Sequence, residues 1–376
     1  MKWKELEFKE FVTLQRGFDL PQALMQEGEV PVLGSNCIIG YHNQAKVQPP
    51  GVVTGRSGTL GVVQYIDVPY WPHNTALWVR DFKQNAPRFV YYKLQTLNID
   101  GFSSGASVPT LNRNNLDNLK VTIPSVDLQC RIASVLSSYD DLIENNLRRI
   151  KLLEESARML YKEWFVRLRF PGYEHTRNIK GMPEGWEKKK IEHVAVVNQS
   201  SLNNSFDGEI EYVDIASVTT GQINETTAYE FRDAPSRARR IVKHGDIIWS
   251  CVRPNRKSHA IIWKPLENLI VSTGFAVLTP LTVPTSYLYY FTTTDEFVGY
   301  LHNRAGGVAY PAVKSSDFED ANILIPPETL LKEFNEFVTP IIDQMHELRS
   351  MNYKLRQARD ILLPKLMSGE IEIESF

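Results

Sequence analysis

Cysteine is scarce in this sequence, and long apolar runs are missing. Three cysteines, Cys37, Cys130 and Cys251, lie far apart in 376 residues. Their odd number, wide spacing and lack of a Cys-x-x-Cys pair or neighbouring histidines argue against a disulfide framework or a zinc site, and suit a reducing cytoplasm. No apolar stretch approaches the roughly 18 residues of a membrane span. The opening MKWKELEFKEF mixes charges with aromatics and lacks the apolar core of a signal peptide, so a cytoplasmic location is expected. Catalytic signatures are missing too: there is no GxxxxGK phosphate loop, no GxSxG elbow and no HExxH helix. Nor is there the Asn-Pro-Pro-aromatic motif of an amino-methyltransferase, since Pro326-Pro327 lies between Ile325 and Glu328 and reads as a strand-to-helix break. The histidines are scattered, and acidic pairs such as Asp140-Asp141 and Glu154-Glu155 fall in helical stretches as solvated i,i+4 partners. Charge of one sign is also lacking. The net charge of -2 argues against a chain that coats nucleic acid over its whole surface, but it leaves room for local clusters. One such cluster runs from Arg232 to Lys257, where eight basic residues face only Asp233 and Asp246. These absences leave a binding protein of ordinary globular composition, long enough for two or three domains.

What is present is a repeat. At an offset of 202, Gly105 falls on Gly307, Pro109 on Pro311, Ile123 on Ile325 and Pro124 on Pro326, without a gap. The frame continues into two helical stretches, where Ile132 meets Phe334, Leu153 meets Leu355 and Leu160 meets Leu362. Upstream the match is looser: VPVLGSNCIIG resembles EYVDIASVTTG, and PGVVTGRSGTLGVV resembles HGDIIWSCVRPNRKSHAII, with Arg56 near Arg253. These upstream blocks are short Val, Ile, Tyr and Thr runs broken by Gly, Pro and Asn, which read as strands.

The helical stretches carry apolar seams at steps of three and four. The first runs Ile132, Val135, Tyr139, Leu142, Asn146, Ile150, Leu153, Ala157, Leu160 and Trp164. The second runs Phe334, Phe337 or Val338, Ile341, Met345, Leu348, Asn352, Leu355, Leu362 and Leu366. Asn146 and Asn352 interrupt their seams, either fixing register or turned to the seam's edge. If the seams pair, connectivity makes the helices antiparallel, with the two blocks at opposite ends of a rod; about 40 helical residues span about 60 Å. The expected class is α+β, with two β-rich globular domains in pseudo-twofold repeat separated by two long antiparallel coiled-coil helices. The expected domains are 1–125, a first spacer helix 126–170, 171–327, and a second spacer helix with tail 328–376. Two similar heads on a rod suggest a ruler with two readers, because DNA half-sites one turn (about 34 Å) apart fall within its reach. The competing reading is a two-headed protein-binding adaptor on a coiled-coil rod.

The order of β-block, YDDLIENNLRRIKLLEESARMLYKEWFVRLRFPGYE, second β-block, IPPE and LLPKLMSGEIE resembles the specificity subunit of a type I DNA restriction-modification system. The resemblance covers essentially the whole chain and is strongest over Ile123–Glu174 and Ile361–Ile371. It implies that each head is a target recognition domain reading one half of a split, asymmetric site in double-stranded DNA. It implies that the helices set the spacing and dock two modification subunits, which bring S-adenosylmethionine and methylate adenine. This chain would then hold no catalytic residue, metal or cofactor; whether motor-nuclease subunits join stays open.

Base edges are read by Arg, Lys, Asn, Gln and Ser on protruding loops, and phosphates are held by cations and hydroxyls. The candidates are therefore Arg253, Asn255, Arg256, Lys257 and Ser258 in CVRPNRKS, and Arg56 and Ser57 in TGRSGT. Arg237, Arg239 and Arg240 in RDAPSRARR suit phosphates. Ser103 and Ser104 in GFSSGASVPT, and Asn303 and Arg304 in NRAGGVAYPA, lie on matched turns. Leu136, Ile143, Leu147 and Tyr161 sit off the main seam, with Trp164 and Phe165 at its end. A second apolar stripe wants a second partner, which favours docking of other subunits and makes these six docking candidates; packing against the heads is the alternative use of the same residues.

Overall fold

The computed structural model describes residues 3–97, 99–104, 109–179, 181–307 and 311–373. The chain forms two compact units. Unit one is Met1–Leu147 with Ser350–Phe376, and unit two is Arg148–Arg349.

In unit one, Gly51–Gly55 is buried along its whole length, as a continuous Val-Val-Thr run at the middle of a sheet should be. It pairs antiparallel with Ala76–Asp81 and Val63–Ile66, and Thr13–Arg16 completes the four-stranded sheet beyond Ala76–Asp81. A second sheet centres on Val30–Leu33, antiparallel to Ile38–His42 and parallel to Trp71–Pro72. The helix Pro87–Thr96 starts on a proline, whose missing N–H is no loss in a first turn. It buries Phe89, Val90, Tyr92 and Leu94. At the base, Lys4–Glu7 pairs antiparallel with Lys120–Ile123, which alternates exposed and buried so that Val121 and Ile123 point inward.

Unit two repeats this plan. Its four-stranded antiparallel sheet runs Ala195–Val197, Phe275–Pro280, Ile247–Ser250, His259–Ile261. Its second sheet centres on Glu209–Val213, antiparallel to Thr227–Glu230 and parallel to Leu269–Ser272, and adds Ala238–Ile241 as an edge. Glu187–Lys190 pairs with Asn322–Ile325 at the base. The repeat frame survives to the residue: Lys120 and Asn322 open matched strands, and Val126 and Glu328 open the long helices.

The first long helix, Val126–Tyr161, ends in a widened turn over Lys162–Val166, closed by Arg167 N–H donating to Lys162 O at 2.8 Å. The second is Glu328–Ser368. The two helices pack against each other, and their direction is plain inside each unit. In unit one, Asn146 lies against Asn352 and Asp140 against Arg359; in unit two, Ile150 lies against Met345 and Leu348, and Tyr161 against Phe334. One number rises as the other falls, so the helices are antiparallel.

The seam departs from its sequence reading over one stretch. Leu142 is exposed while Leu136 and Ile143 are buried, so these two join the packed line, in which Ile132, Asn146, Ile150, Ala157 and Trp164 stand as the spacing placed them. On the second helix Val338 is buried and Phe337 is exposed, which settles that alternative. The asparagines are in the seam, at 1% and 2% exposure. Asn146 Nδ2 donates to Asn352 Oδ1 at 2.9 Å, and Asn352 Nδ2 donates to the Ile143 carbonyl at 3.3 Å. Beyond the seam, Asp140 accepts from both the Tyr92 hydroxyl and the Arg359 guanidinium, tying both long helices to the short helix of unit one.

Candidate nucleic-acid interface

Both units build one backbone scaffold around the strand that leaves the centre of the four-stranded sheet. In unit one, Arg56 N–H donates to Thr75 O (2.8 Å), Leu111 N–H to Arg56 O (2.8 Å) and Gly58 N–H to Pro109 O (3.1 Å). In unit two, Cys251 N–H donates to Gly274 O (2.8 Å), Val313 N–H to Cys251 O (2.9 Å) and Arg253 N–H to Pro311 O (2.7 Å). The three bonds match one for one. They pair Arg56 with Cys251 and Gly58 with Arg253, correcting by two residues the sequence alignment that set Arg56 near Arg253. Main-chain bonds carry this scaffold, so side chains on it vary without dismantling it.

In unit two the loop beyond the scaffold is longer. Arg253 and Lys257 both adopt left-handed backbone, φ +51° and +54°, flanking a short turn over Pro254–Arg256. Non-glycine residues rarely hold this conformation, and it persists where the surroundings over-determine it. Here the fixing contacts are the Arg253–Pro311 bond, Arg256 N–H to Arg253 O (2.9 Å), Ser250 N–H to Ser258 O (2.9 Å) and a Lys257–Asp295 ion pair at 2.8 Å. Asn255 and Arg256 are thereby presented to solvent, while Arg253, Lys257 and Ser258 are half-buried. Arg253, Arg256 and Ser258 border a cavity of about 600 Å³ that is also lined by Asp214, Thr219 and Thr220. Burial pushes the neighbouring Cys251 thiol up to about 11, so it stays protonated.

The basic strand belongs to the same edge. Thr273 N–H donates to Arg237 O at 2.8 Å, one residue before the Gly274 that holds Cys251. Arg237 is exposed. Arg239 stacks on Phe231, its guanidinium carbon 4.4 Å from the ring centre, and Arg240 donates to Ser201 Oγ at 3.2 Å. Asn303 is exposed; Arg304 lies over Tyr300 and 3.8 Å from Asp317. Ser103–Ser104 pairs through its backbone with Thr110–Leu111. The side chains of Ser103 and Ser104 lie outside the described residues, as do 105–108 and 308–310 of the two matched loops.

Unit one carries its positive charge elsewhere. Arg56, half-buried with Nε donating to Asn74 O at 2.9 Å, shares an open cleft of about 920 Å³ with Arg16, Arg80 and Arg113. Gln15 and Asn112 also line it, and its one acidic member, Asp19, pairs with Arg16 at 3.2 Å. The sequence reading missed Arg16, Arg80 and Arg113, because four arginines spread over almost a hundred positions leave no linear signal. Ser57 is half-buried and bridges to Thr110. Ser35 also belongs here, since its carbonyl lies beside Gly55 and its hydroxyl beside Gly58.

The docking candidates fare differently. Leu136 and Ile143 are buried in unit one, and Tyr161, Trp164 and Phe165 are buried in the core of unit two. Their apolar surface is covered by this chain's own domains, which corrects the expectation that they face a partner. Leu147 is 42% exposed. Among the described residues no group of three His, Cys, Asp or Glu is arranged to hold a metal, and no helix is long and apolar enough to cross a membrane.

Comparison with known proteins agrees with this architecture. Residues 1–155 match the family model described as type I restriction modification DNA specificity domain. The type I restriction enzyme MjaIX specificity subunit of Methanocaldococcus jannaschii is 26% identical over 300 residues, 76% of this chain and 69% of that protein. The MjaVIII specificity subunit of the same organism is 21% identical, covering 76% and 70%. The crystal structure of a type I restriction-modification system S subunit from M. genitalium shares the fold with a TM-score of 0.63 at 16% identity, over 100% of this chain and 97% of that one. The chain is thus similar over most of its length to the specificity subunits of type I restriction-modification systems, with the DNA specificity domain matched over residues 1–155.

Proposed function

We propose that each unit reads one half of a split, asymmetric DNA site through the loop on its three-bond scaffold. In unit two the readers are Arg253, Asn255 and Arg256, with Lys257 oriented by Asp295. In unit one they are Arg56 and Ser57, with Ser35 from the neighbouring hairpin. The observation that carries this reading is the repeated scaffold, which offers the same rigid platform twice and different side chains each time. Arg16, Arg80 and Arg113 in the unit-one cleft and Arg237, Arg239 and Arg240 on the unit-two edge suit phosphates, which fix register without carrying sequence information.

The long helices set the half-site spacing in this reading and dock two copies of a modification subunit, which brings S-adenosylmethionine. Two equivalent exposed positions support a paired arrangement: Met159 in unit two and Ile361 in unit one are 202 residues apart, and each is 62% exposed. They join Leu147 as docking candidates in place of the five buried residues.

Alanine at Arg56, Arg253 and Arg256, singly and together, in the assembled enzyme tests the reading. Loss of a base contact is expected to cost ~1–3 kcal/mol and to relax recognition at one position of one half-site. Loss of a phosphate contact weakens binding to every sequence and lowers the salt slope by about one. A triple variant with unchanged affinity, salt dependence and methylation pattern removes these residues from the interface.

A further inference from the structure

The repeat lets one unit serve as a template for the other. In unit one, Lys93 is only 8% exposed and lies on the helix Pro87–Thr96. Its ammonium donates to the Met367 carbonyl at 3.0 Å. Met367 is in the last turn of the long helix Glu328–Ser368, where carbonyls lack intrahelical donors and the helix dipole favours a cation. A lysine therefore caps the end of the long helix that finishes in unit one.

The matching position in unit two holds no lysine. Residues 89–93 read FVYYK and residues 287–291 read YLYYF, so Phe291 stands where Lys93 does. Met367 corresponds to Phe165 by the 202-residue frame, or to Val166 once the widened turn over Lys162–Val166 has added a residue. In this region the Lys162 and Glu163 carbonyls accept from Arg167 and Arg169 N–H. No donor among the described residues reaches the carbonyl of Phe165 or Val166. Both residues line a cavity of about 440 Å³, which is also lined by Tyr161, Tyr287, Phe291, Phe297 and Tyr300. Tyr287 and Tyr300 spend their hydroxyl protons on the Leu324 and Asp317 carbonyls, so each ring is fixed in place.

We infer that this cavity is a binding site for an alkylammonium group, which there does what Lys93 does in unit one. Three features favour a cation. Aromatic faces attract ammonium through their quadrupole, and more strongly when it is desolvated. The helix end supplies carbonyls in need of a donor. Glu296 stands on the lining as a carboxylate with no ion pair among the described residues. Lys188 also lines the cavity and offsets Glu296 in net charge, so the rings and the helix end decide the sign. The chemistry is that of a primary amine on a short aliphatic chain, supplied by a lysine of a partner protein or by a free polyamine.

The full chain is titrated, by calorimetry or ligand-observed NMR, with Nα-acetyl-lysine methylamide, its neutral norleucine isostere and spermidine. Saturable millimolar binding of the capped lysine is expected, with the norleucine compound at least tenfold weaker. Phe291→Lys rebuilds the unit-one arrangement inside the cavity and should abolish binding; Glu296→Gln should weaken it several-fold. If Phe291→Lys does not fold, Val166→Lys, on a residue that is mostly exposed, places a competing ammonium at the rim and should have the same effect. Tighter binding of the capped lysine than of spermidine assigns the site to a protein side chain, and the reverse order to a free polyamine. Equal binding of the norleucine compound, no binding at all, or undiminished binding in the lysine variants overturns the inference. DNA binding is expected to be unchanged in Phe291→Lys, so this result stands apart from the reading of DNA.

Discussion

Replacing Asn146 and Asn352 by leucine, singly and together, turns the seam asparagines into a measurement. Each amide is almost wholly buried, and each relies on the other helix for a partner. Asn146→Leu leaves Asn352 Oδ1 buried without its donor. Asn352→Leu leaves Asn146 Nδ2 with only the Met351 sulfur at 3.5 Å. An unsatisfied buried polar group costs ~1–3 kcal/mol, so each single variant should lose about that much, less whatever the new leucine recovers. The double variant removes both amides at once. Its layer then resembles the one a turn away, where the repeat mates of these positions are Leu348 and Ile150, already a buried apolar pair. Burying a leucine contributes ~1.5–3 kcal/mol, so the double variant should be at least as stable as the parent. The cycle should then show a coupling of about 2 kcal/mol, well above the additivity error of independent sites. Because the chain has two units, the readout should be local: hydrogen exchange across 132–147 and 350–366 under urea. A double variant less stable than both single variants would refute the argument that the amides are there for each other.

Two further outcomes follow from the geometry. Four residues inserted after Leu147 and four after Arg349, where the contacts of one unit give way to those of the other, add about 6 Å of rise and about 40° of rotation. At about 3.4 Å per base pair, methylation sequencing should find the same half-sites with a spacer longer by one or two base pairs; an active variant keeping the original spacer would detach spacing from the helices. Burial beneath Trp249 and Tyr289 lowers His259 from 6.5 to about 3, with the charges of Arg158 and Lys257 adding to the effect. Folded unit two keeps this ring neutral while the unfolded chain protonates it, so stability is complete above about pH 6.5 and falls as pH drops towards 3, by about 2 kcal/mol at pH 5. His259→Phe should flatten that acid limb in urea midpoints between pH 5 and 8, and an unchanged slope would place the sensitivity elsewhere.

The repeat, the long helices and their direction were legible because they rest on apolar spacing, which packing must obey. One stretch of the seam was less so. Leu142 and Ile143 are both apolar, and only the shape of the partner surface decides which one turns inward. The buried fate of Tyr161, Trp164 and Phe165 was equally hidden, since an apolar stripe looks the same whether it faces the chain's own domain or another subunit. The pairing of Arg56 with Cys251 was illegible for a different reason: main-chain hydrogen bonds fix it, and they are indifferent to side-chain identity. The cleft arginines came from four separate segments and met only in the fold. The Asn pair could be read as one of two alternatives, and burial chose between them.

The three-bond scaffold has a consequence for how such proteins diversify. Its hydrogen bonds run between backbone groups alone, so exchanging Arg56 for cysteine, or glycine for Arg253, as the two units of this chain have done, leaves every one of them intact. At Arg56 such an exchange leaves the scaffold standing and, in the proposed reading, changes recognition, whereas a side chain at Gly58 meets the strain of its φ of +88°. A lineage can drift across target sequences without passing through unfolded intermediates, and each unit can do so independently of its twin.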